Sequence, residues 1–266
     1  MLDAIRQKKT KVHLRYLGHR EEGERRVCEE DEITSTIFGP MALLPAHDVL
    51  YFWKRIIIHE SAERFFPEND LQECIINLWP SSNSGIRVEP DILITFKWRD
   101  GEQRHLLVEI KWRSPLSSDD QLQDQWLHFL SDDQQRNALH LFIAREVSEG
   151  VAARARKDVW TNVGGRRLLL IPWARIRSTT GLVMPGSSGF SRWAELTNVF
   201  LSKLNIGQFV GFKEVRPPDF SITRLKPLFW SENQRVGIDC IADHDPLSIE
   251  RRSCYCRSAL FWGCAA

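Results

Sequence analysis

Apolar positions follow two periodicities along the chain. Short runs that are apolar at most positions predict buried strands, and they occupy residues 72–79, 138–144 and 167–173. Apolar positions at helical spacing predict helices packed on those strands, at residues 33–44, 46–65, 117–130, 150–160 and 191–204. An early strand is also expected at residues 11–17. Strands that alternate with helices are typical of an α/β fold, in which helices flank a central β-sheet.

One stretch, residues 87–112, interrupts this apolar pattern with charges. Two apolar runs flank a polar turn, and Asp91, Glu109 and Lys111 stand inside those runs. Strands that are apolar on both faces belong in the middle of a covered sheet, where an unpaired charge is costly. Because buried charges are usually paired or bound to a metal, this hairpin is the leading candidate for a functional site.

The register of the hairpin decides whether the three charges meet. Side chains alternate along a strand, so Glu109 and Lys111 share one face. A two-residue turn would pair Asp91 with Ile110 and direct the carboxylate to the wrong face, whereas a three-residue turn pairs Asp91 with Glu109. Gly101 can take the left-handed conformation that closes such a turn. We therefore predict a bulged turn that ends at Gly101 and two carboxylates that converge.

Pro90-Asp91 on one strand and Glu109-Ile110-Lys111 on the next resemble the signature of the PD-(D/E)XK nuclease superfamily. The resemblance implies a restriction-endonuclease-like core, with a central mixed β-sheet flanked by helices. The resemblance implies a metal-dependent nuclease that hydrolyses phosphodiester bonds, with DNA as the expected substrate. Asp91, Glu109 and the backbone carbonyl of Ile110 would hold Mg²⁺ or Mn²⁺, since hard cations prefer oxygen ligands. Lys111 would contact the scissile phosphate or the attacking water.

Two neighbouring helices add candidates to this site. Superfamily members often carry an extra acid on the first helix near the metal, and Glu30 shares the inward stripe of that helix, with Asp31 as the second choice. Gln121 and Gln125 lie one turn apart on the helix after Lys111, and this stretch resembles a superfamily branch that carries a Gln there. Gln121 is the first choice and Gln125 the alternative, while ordinary helix surface would explain both.

The functional interpretation has a structural alternative. Asp91, Glu109 and Lys111 could form a buried ion pair without a metal, although burying three charges for stability alone gains little. The corresponding function is a catalytically inactive nuclease-fold module that binds nucleic acid or a protein partner. For an active enzyme, the resemblance implies restriction or anti-phage defence as the biological setting.

The balance of charge limits where nucleic acid can bind. The chain has 36 Lys and Arg against 35 Asp and Glu, a net charge of +1, so phosphate contacts require a local cluster. The best local cluster consists of Arg154, Arg156, Lys157, Arg166 and Arg167. A solvated surface is the alternative reading. Besides nucleic acid, the expected partner is a protein that supplies an ATPase or sequence specificity, because no P-loop motif is present, and a homodimer stays open.

The remaining features define the expected organisation of the chain. The absence of a signal peptide, and of an apolar stretch of about eighteen residues, predicts a cytoplasmic protein without a membrane partner. We expect a nuclease-like domain at residues 1–205, with a core at about 29–175. Residues 206–266 should form a C-terminal extension that packs on the core, with its last residues disordered. Four of the six Cys lie there, where reduced thiols are expected and a zinc site with His244 is the alternative.

Overall fold

The computed structural model describes residues 1–19, 28–58, 65–81, 88–161, 167–182 and 185–207. The backbone divides into two units, Met1–Lys213 and Glu214–Ala266, and described residues occur in the first unit alone. The predicted C-terminal extension and its cysteines therefore lie outside the described residues, apart from residues 206 and 207. Among the described residues, no helix combines the length and the apolar character that crossing a membrane requires.

Five strands within the described residues form one mixed sheet in the order β1-β2-β3-β4-β5. They are β1 Leu71–Leu78, β2 Ile92–Trp98, β3 Gln103–Ile110, β4 Ala138–Ala144 and β5 Leu168–Pro172. β1, β2 and β3 are antiparallel neighbours, whereas β4 runs parallel to β3 and β5 runs parallel to β4. The predicted α/β class and the mixed sheet are confirmed, and all five strands lie where the apolar runs placed them.

Helices cover both faces of this sheet. The α-helices are α1 Leu2–Arg6, α2 Glu29–Phe38, α3 Ala46–Ile57, α4 Gln121–Asp124, α5 Asp132–Arg136, α6 Ser148–Arg156, α7 Trp173–Thr180 and α8 Ser188–Lys203. A π-helical turn, Gln125–Phe129, continues α4, and a 3-10 helix, Gly39–Leu43, follows α2. The apolar pattern did not predict α1, α5 or α7.

The predictions for the early strand and for the start of the last helix are wrong. The early strand expected before residue 18 is a 3-10 helix, Val12–Leu17, in which Tyr16 is buried and donates its hydroxyl to Glu32 at 2.8 Å. Helix α8 begins earlier than predicted, because the side chain of Ser187, rather than that of Ser191, accepts the hydrogen bond that caps it.

The sheet separates two cores of different size. One face packs against α1, α2, α3, α7 and α8, and its strand residues include Ile94, Val108 and Leu141. We call this the large-core face. The opposite face packs against α4, the π turn and α6, and its strand residues include Leu107 and Phe142. We call this the small-core face.

The β2–β3 hairpin has the register that the functional hypothesis needs. Ile92 pairs with Val108, so Asp91, one residue before β2, lies on the small-core face. In the turn, Gly101 has a left-handed φ of 89°, and its N–H donates to the Trp98 carbonyl at 3.0 Å. The predicted three-residue turn is therefore confirmed.

Candidate functional site

Asp91, Glu109 and Lys111 meet at the open end of the hairpin. The Lys111 Nζ atom lies 2.9 Å from Glu109 Oε1, and the exposed fractions of these side chains are 14% and 2%. The main-chain N–H of Ile110 donates to Asp91 Oδ2 at 2.6 Å. Ile110 thus meets Asp91 through its amide, and the metal-ligand role of its carbonyl stays a prediction. The charges that interrupt the apolar runs form one cluster.

Glu30 of α2 reaches this cluster, where the sequence placed it. Its Oε2 lies 3.4 Å from Lys111 Nζ. Its Oε1 accepts a hydrogen bond from the Trp112 N–H at 2.9 Å and another from the Ser114 hydroxyl. Glu30 therefore binds both the Lys111 ammonium and the backbone that follows it.

The backbone around Lys111 is held at further points. The Lys111 N–H donates to the Ile143 carbonyl at 2.8 Å, which extends the parallel pairing of β3 with β4. The indole N–H of Trp173 donates to the Lys111 carbonyl at 3.0 Å. The indole of Trp112 donates in turn to the Tyr16 carbonyl at 3.1 Å. These bonds fix the direction from which the Lys111 side chain enters the site.

Two glutamine side chains hold the Glu109 carboxylate. Gln121 Nε2 donates to Oε1 at 2.6 Å, and Gln125 Nε2 donates to Oε2 at 2.6 Å. Gln121 also accepts from the N–H and the hydroxyl of Ser117. The sequence named Gln121 first and Gln125 as the alternative, and the structure brings both to Glu109. The π turn begins at Gln125, and such irregularities often occur at functional sites.

A polar chain behind Gln125 was missed in the sequence. The indole N–H of Trp160 donates to His140 Nδ1 at 3.2 Å, and His140 Nε2 lies 3.2 Å from Gln125 Oε1. Burial lowers the pKa of His140 to about 3, so its imidazole is neutral. The available signal was the one used for the hairpin, since His140 also interrupts an otherwise apolar strand.

The electrostatics of the cluster favour an added cation. Burial, and then the nearby Glu109 carboxylate, raise the pKa of Asp91 to about 8. Burial also raises the pKa of Glu109, although Lys111 acts in the opposite direction. Burial disfavours the charged form of Lys111, but the carboxylates of Glu109, Glu30 and Asp91 outweigh it and raise the pKa of the ammonium. A single ammonium thus faces three acids.

The oxygen atoms of the cluster suit Mg²⁺ or Mn²⁺. Glu109 Oε1 accepts from both Gln121 and Lys111, whereas Oε2 accepts from Gln125 alone among the described residues. Asp91 likewise uses only Oδ2 toward described residues. Within the described ranges, no group of three or more His, Cys, Asp and Glu side chains is arranged to hold a metal. A bound cation would therefore rely on two carboxylates and on water, as Mg²⁺ commonly does.

A groove opens beside Lys111 at the carboxyl ends of β3 and β4. It has a volume of about 460 Å³, and its lining includes Arg113, Ser114 and Arg145. The Arg145 guanidinium lies 5.0 Å from the centre of the Trp112 ring, in cation–π geometry. The carboxyl ends of parallel strands are where open α/β sheets usually bind ligands. Neither arginine stands out in the sequence, since both lie outside the predicted basic cluster.

The predicted basic cluster is divided between two places. Arg167 donates to the Ala138 carbonyl at 3.2 Å. On β4, the partner of Glu109 is Phe142. Ala138 lies four residues before Phe142, so the two are roughly 13 Å apart along the strand. Arg167 is therefore at the other end of the sheet from the carboxylates.

The other members of that cluster lie on or after α6, or outside the described residues. Arg156 lies 3.7 Å from the carboxylate of Asp119, which precedes α4. Arg154 is half-buried and Lys157 is exposed, whereas Arg166 is outside the described residues. Phosphate binding by these residues stays a prediction.

Comparison of the chain with protein-family models, with curated proteins and with solved structures finds no match. The likeness to PD-(D/E)XK nucleases therefore depends on the residues of this chain. Those residues are Asp91, Glu109, Lys111, Glu30 and the two glutamines.

Proposed function

We propose that this protein is a metal-dependent nuclease with a restriction-endonuclease-like core, and that it hydrolyses phosphodiester bonds in DNA. The observation that carries the proposal is the convergence of Asp91, Glu109 and Lys111 on one face at the end of a buried hairpin. The element order supports it, because helix, strands, helix and strand, in that order, are what the PD-(D/E)XK resemblance implies.

The residues of the cluster have contacts that suit distinct roles. Asp91 and Glu109 would hold Mg²⁺ or Mn²⁺, with the Ile110 carbonyl as a further ligand. When bound, the cation neutralises charge on the phosphate and makes a water more acidic. Lys111 presents an ammonium that Glu109 and Glu30 keep charged and oriented, so it can bind a phosphate oxygen or align the attacking water.

The groove beside Lys111 supports a nucleic-acid substrate. Arg113 and Arg145 are exposed on its walls. A guanidinium binds phosphate oxygens in a bidentate manner, and the stacking on Trp112 pre-orients Arg145. Lys111 lines the same groove and is less exposed than the two arginines. We therefore propose that one strand of the substrate passes through the groove.

Cleavage assays test this function directly. Purified protein is incubated with supercoiled plasmid, linear duplex, single-stranded DNA and RNA, in Mg²⁺, in Mn²⁺ or in EDTA. We expect DNA cleavage with either cation and none in EDTA. Lys111→Ala protein, purified in the same way, controls for a contaminating nuclease. Cleavage that survives in this variant, or no cleavage of any substrate by the wild type, would contradict the proposal.

A second function has one specific observation in its favour. Lys111 already forms ion pairs with Glu109 at 2.9 Å and with Glu30 at 3.4 Å, and a buried ion pair does not require a metal. The chain would then be an inactive module of the same fold that binds nucleic acid or a protein. Metal-independent DNA binding together with no Mn²⁺ binding would favour this alternative.

A further inference from the structure

We propose that His140 is a positioning residue of the site. It acts through Gln125 and determines which end of the buried Gln125 amide, the NH₂ group or the carbonyl oxygen, faces Glu109. This inference deepens the proposed nuclease function and rests on it for one of two readouts. The residues involved form a continuous chain, Trp160, His140, Gln125 and Glu109, that runs from the segment after α6 across the small-core face.

Trp160, at the far end of this hydrogen-bonded chain, determines the direction of its hydrogen bonds. An indole N–H can only donate, so the contact with Trp160 makes His140 Nδ1 an acceptor. A neutral imidazole then carries its proton on Nε2, which donates to Gln125 Oε1. With its carbonyl oxygen engaged, the Gln125 amide can present only its NH₂ group to Glu109.

Because these groups are buried, reversing the direction of the hydrogen bonds would be costly. Trp160, His140, Gln125 and Glu109 are each at most 2% exposed, so water does not readily replace a lost partner. A reversed Gln125 amide would place its carbonyl oxygen against the Glu109 carboxylate, and both groups are acceptors in a site of low dielectric. The ring of Trp126, stacked on His140 at 6.2 Å, restricts the imidazole further.

The hydrogen-bonded chain ends on Glu109 Oε2, the oxygen through which this carboxylate would bind a cation. Glu109 Oε1 is engaged by Gln121 and Lys111, whereas Oε2 receives only the Gln125 amide among the described residues. Partners behind a ligand orient it, and their loss typically costs 10- to 100-fold in metal affinity. His140 would exert this effect without touching either the cation or the substrate.

The first readout is the tautomer of His140, measured by ¹⁵N NMR on protein labelled at histidine. His140→Phe protein assigns the signal among the eight His of the chain. We expect Nε2–H with an unprotonated Nδ1 at neutral pH in the wild type. A protonated Nδ1, either as the other tautomer or as imidazolium, would overturn the inference. This readout requires neither metal binding nor catalysis.

The second readout is a double-mutant cycle on Mn²⁺ affinity, measured by calorimetry. Gln125→Met and His140→Phe should each weaken binding by about tenfold or more. The double variant should be no weaker than Gln125→Met, because His140 acts through Gln125. Additive effects, or unchanged affinity in His140→Phe, would overturn the positioning role. Leu141→Ala, the next residue on β4 but on the large-core face, should leave Mn²⁺ affinity unchanged.

The two readouts separate the inference from the proposed function. If the wild type binds no Mn²⁺ but His140 has the Nε2–H tautomer, the nuclease proposal fails and the fixed amide direction stands. If Mn²⁺ binds at Asp91 and Glu109 but His140 carries the wrong proton, the nuclease proposal stands and this inference fails.

Discussion

The two faces of the sheet bury different kinds of side chain. The large-core face packs aliphatic and aromatic side chains from five helices against the strands, and its buried polar residues, such as Thr34, Asp48 and Thr197, lie on the helices rather than on the strands. The small-core face has fewer apolar residues, and its interior also holds a set of buried polar side chains, Thr95, His105, Glu109, Gln123, Gln125 and His140. Apolar burial stabilises the fold without specifying one orientation, whereas a buried polar network requires every partner in place.

This difference separates the stability of the fold from its chemistry. A strand residue on the large-core face should affect the free energy of unfolding and leave the site intact. A residue of the small-core network should affect metal binding and cleavage at a smaller cost in stability. The predictions below test that separation.

The largest effect is expected at the cluster itself. Asp91→Asn keeps an acceptor for the Ile110 N–H but removes a charged ligand, and Lys111→Ala removes the phosphate contact. Each should lower the cleavage rate by about a thousandfold, the scale of losing one preorganised electrostatic contact. Single-turnover cleavage at saturating Mn²⁺ measures this, with Asp132→Asn, an exposed acid of α5, as the control. Normal cleavage by Asp91→Asn would show that the cluster is not catalytic.

On the large-core face, Leu141→Ala should destabilise without affecting function. Leu141 is fully buried, and truncation of such a side chain costs about 3 kcal/mol of unfolding free energy. Urea denaturation measures the loss, and Mn²⁺ titration of the folded variant should give the wild-type affinity. A variant that folds but no longer binds Mn²⁺ would show that the two faces are coupled.

The charge of Asp91 should make the metal-free protein less stable as the pH rises. Its pKa is raised to about 8 in the fold, compared with about 3.9 in an unfolded chain. Between these values the folded state binds the extra proton, so stability falls from about pH 4 to about pH 8 and levels off above that. Urea denaturation in EDTA at pH 5 and pH 8 measures the slope. Asp91→Asn should reduce it, and an equal slope in both proteins would contradict the assignment.

The smallest effect concerns substrate binding. Arg145→Gln should weaken DNA binding similarly for all sequences and reduce the slope of log affinity against log salt by about one. Arg154→Gln, on α6 outside the groove, tests the basic cluster predicted from sequence in the same assay. If the slope falls for Arg154→Gln and not for Arg145→Gln, phosphate is bound along α6 rather than in the groove.

The hairpin could be predicted from sequence because its rules are local. Alternation along a strand places Glu109 and Lys111 on one face, and Gly101 supplies the left-handed residue that sets the register. Glu30 and Gln121 followed from helical spacing combined with the family resemblance. In each case the decisive residues lie within one element or one turn.

The remaining features depend on contacts between distant segments. His140 meets Trp160 because β4 runs parallel to β3 and α6 returns across the small-core face, and no local pattern contains that information. Arg167 is close to α6 in sequence, yet β5 begins at the far end of the sheet and carries it away from Glu109. The apolar run at residues 167–173 was predicted as one strand, but β5 ends at Pro172 and Trp173 begins α7. A buried Trp is equally acceptable in a strand and in a helix, so the apolar pattern does not show where the strand ends.

Mn²⁺ titration of the wild type beside Asp91→Asn tests the central claim most directly. The claim is that the polar cluster of the small-core face binds a divalent cation through Asp91 and Glu109. We expect saturable Mn²⁺ binding in the wild type that competes with Mg²⁺ and is lost in Asp91→Asn, while both proteins have the same folded spectrum. Equal Mn²⁺ binding by the two proteins, or none by either, would contradict it.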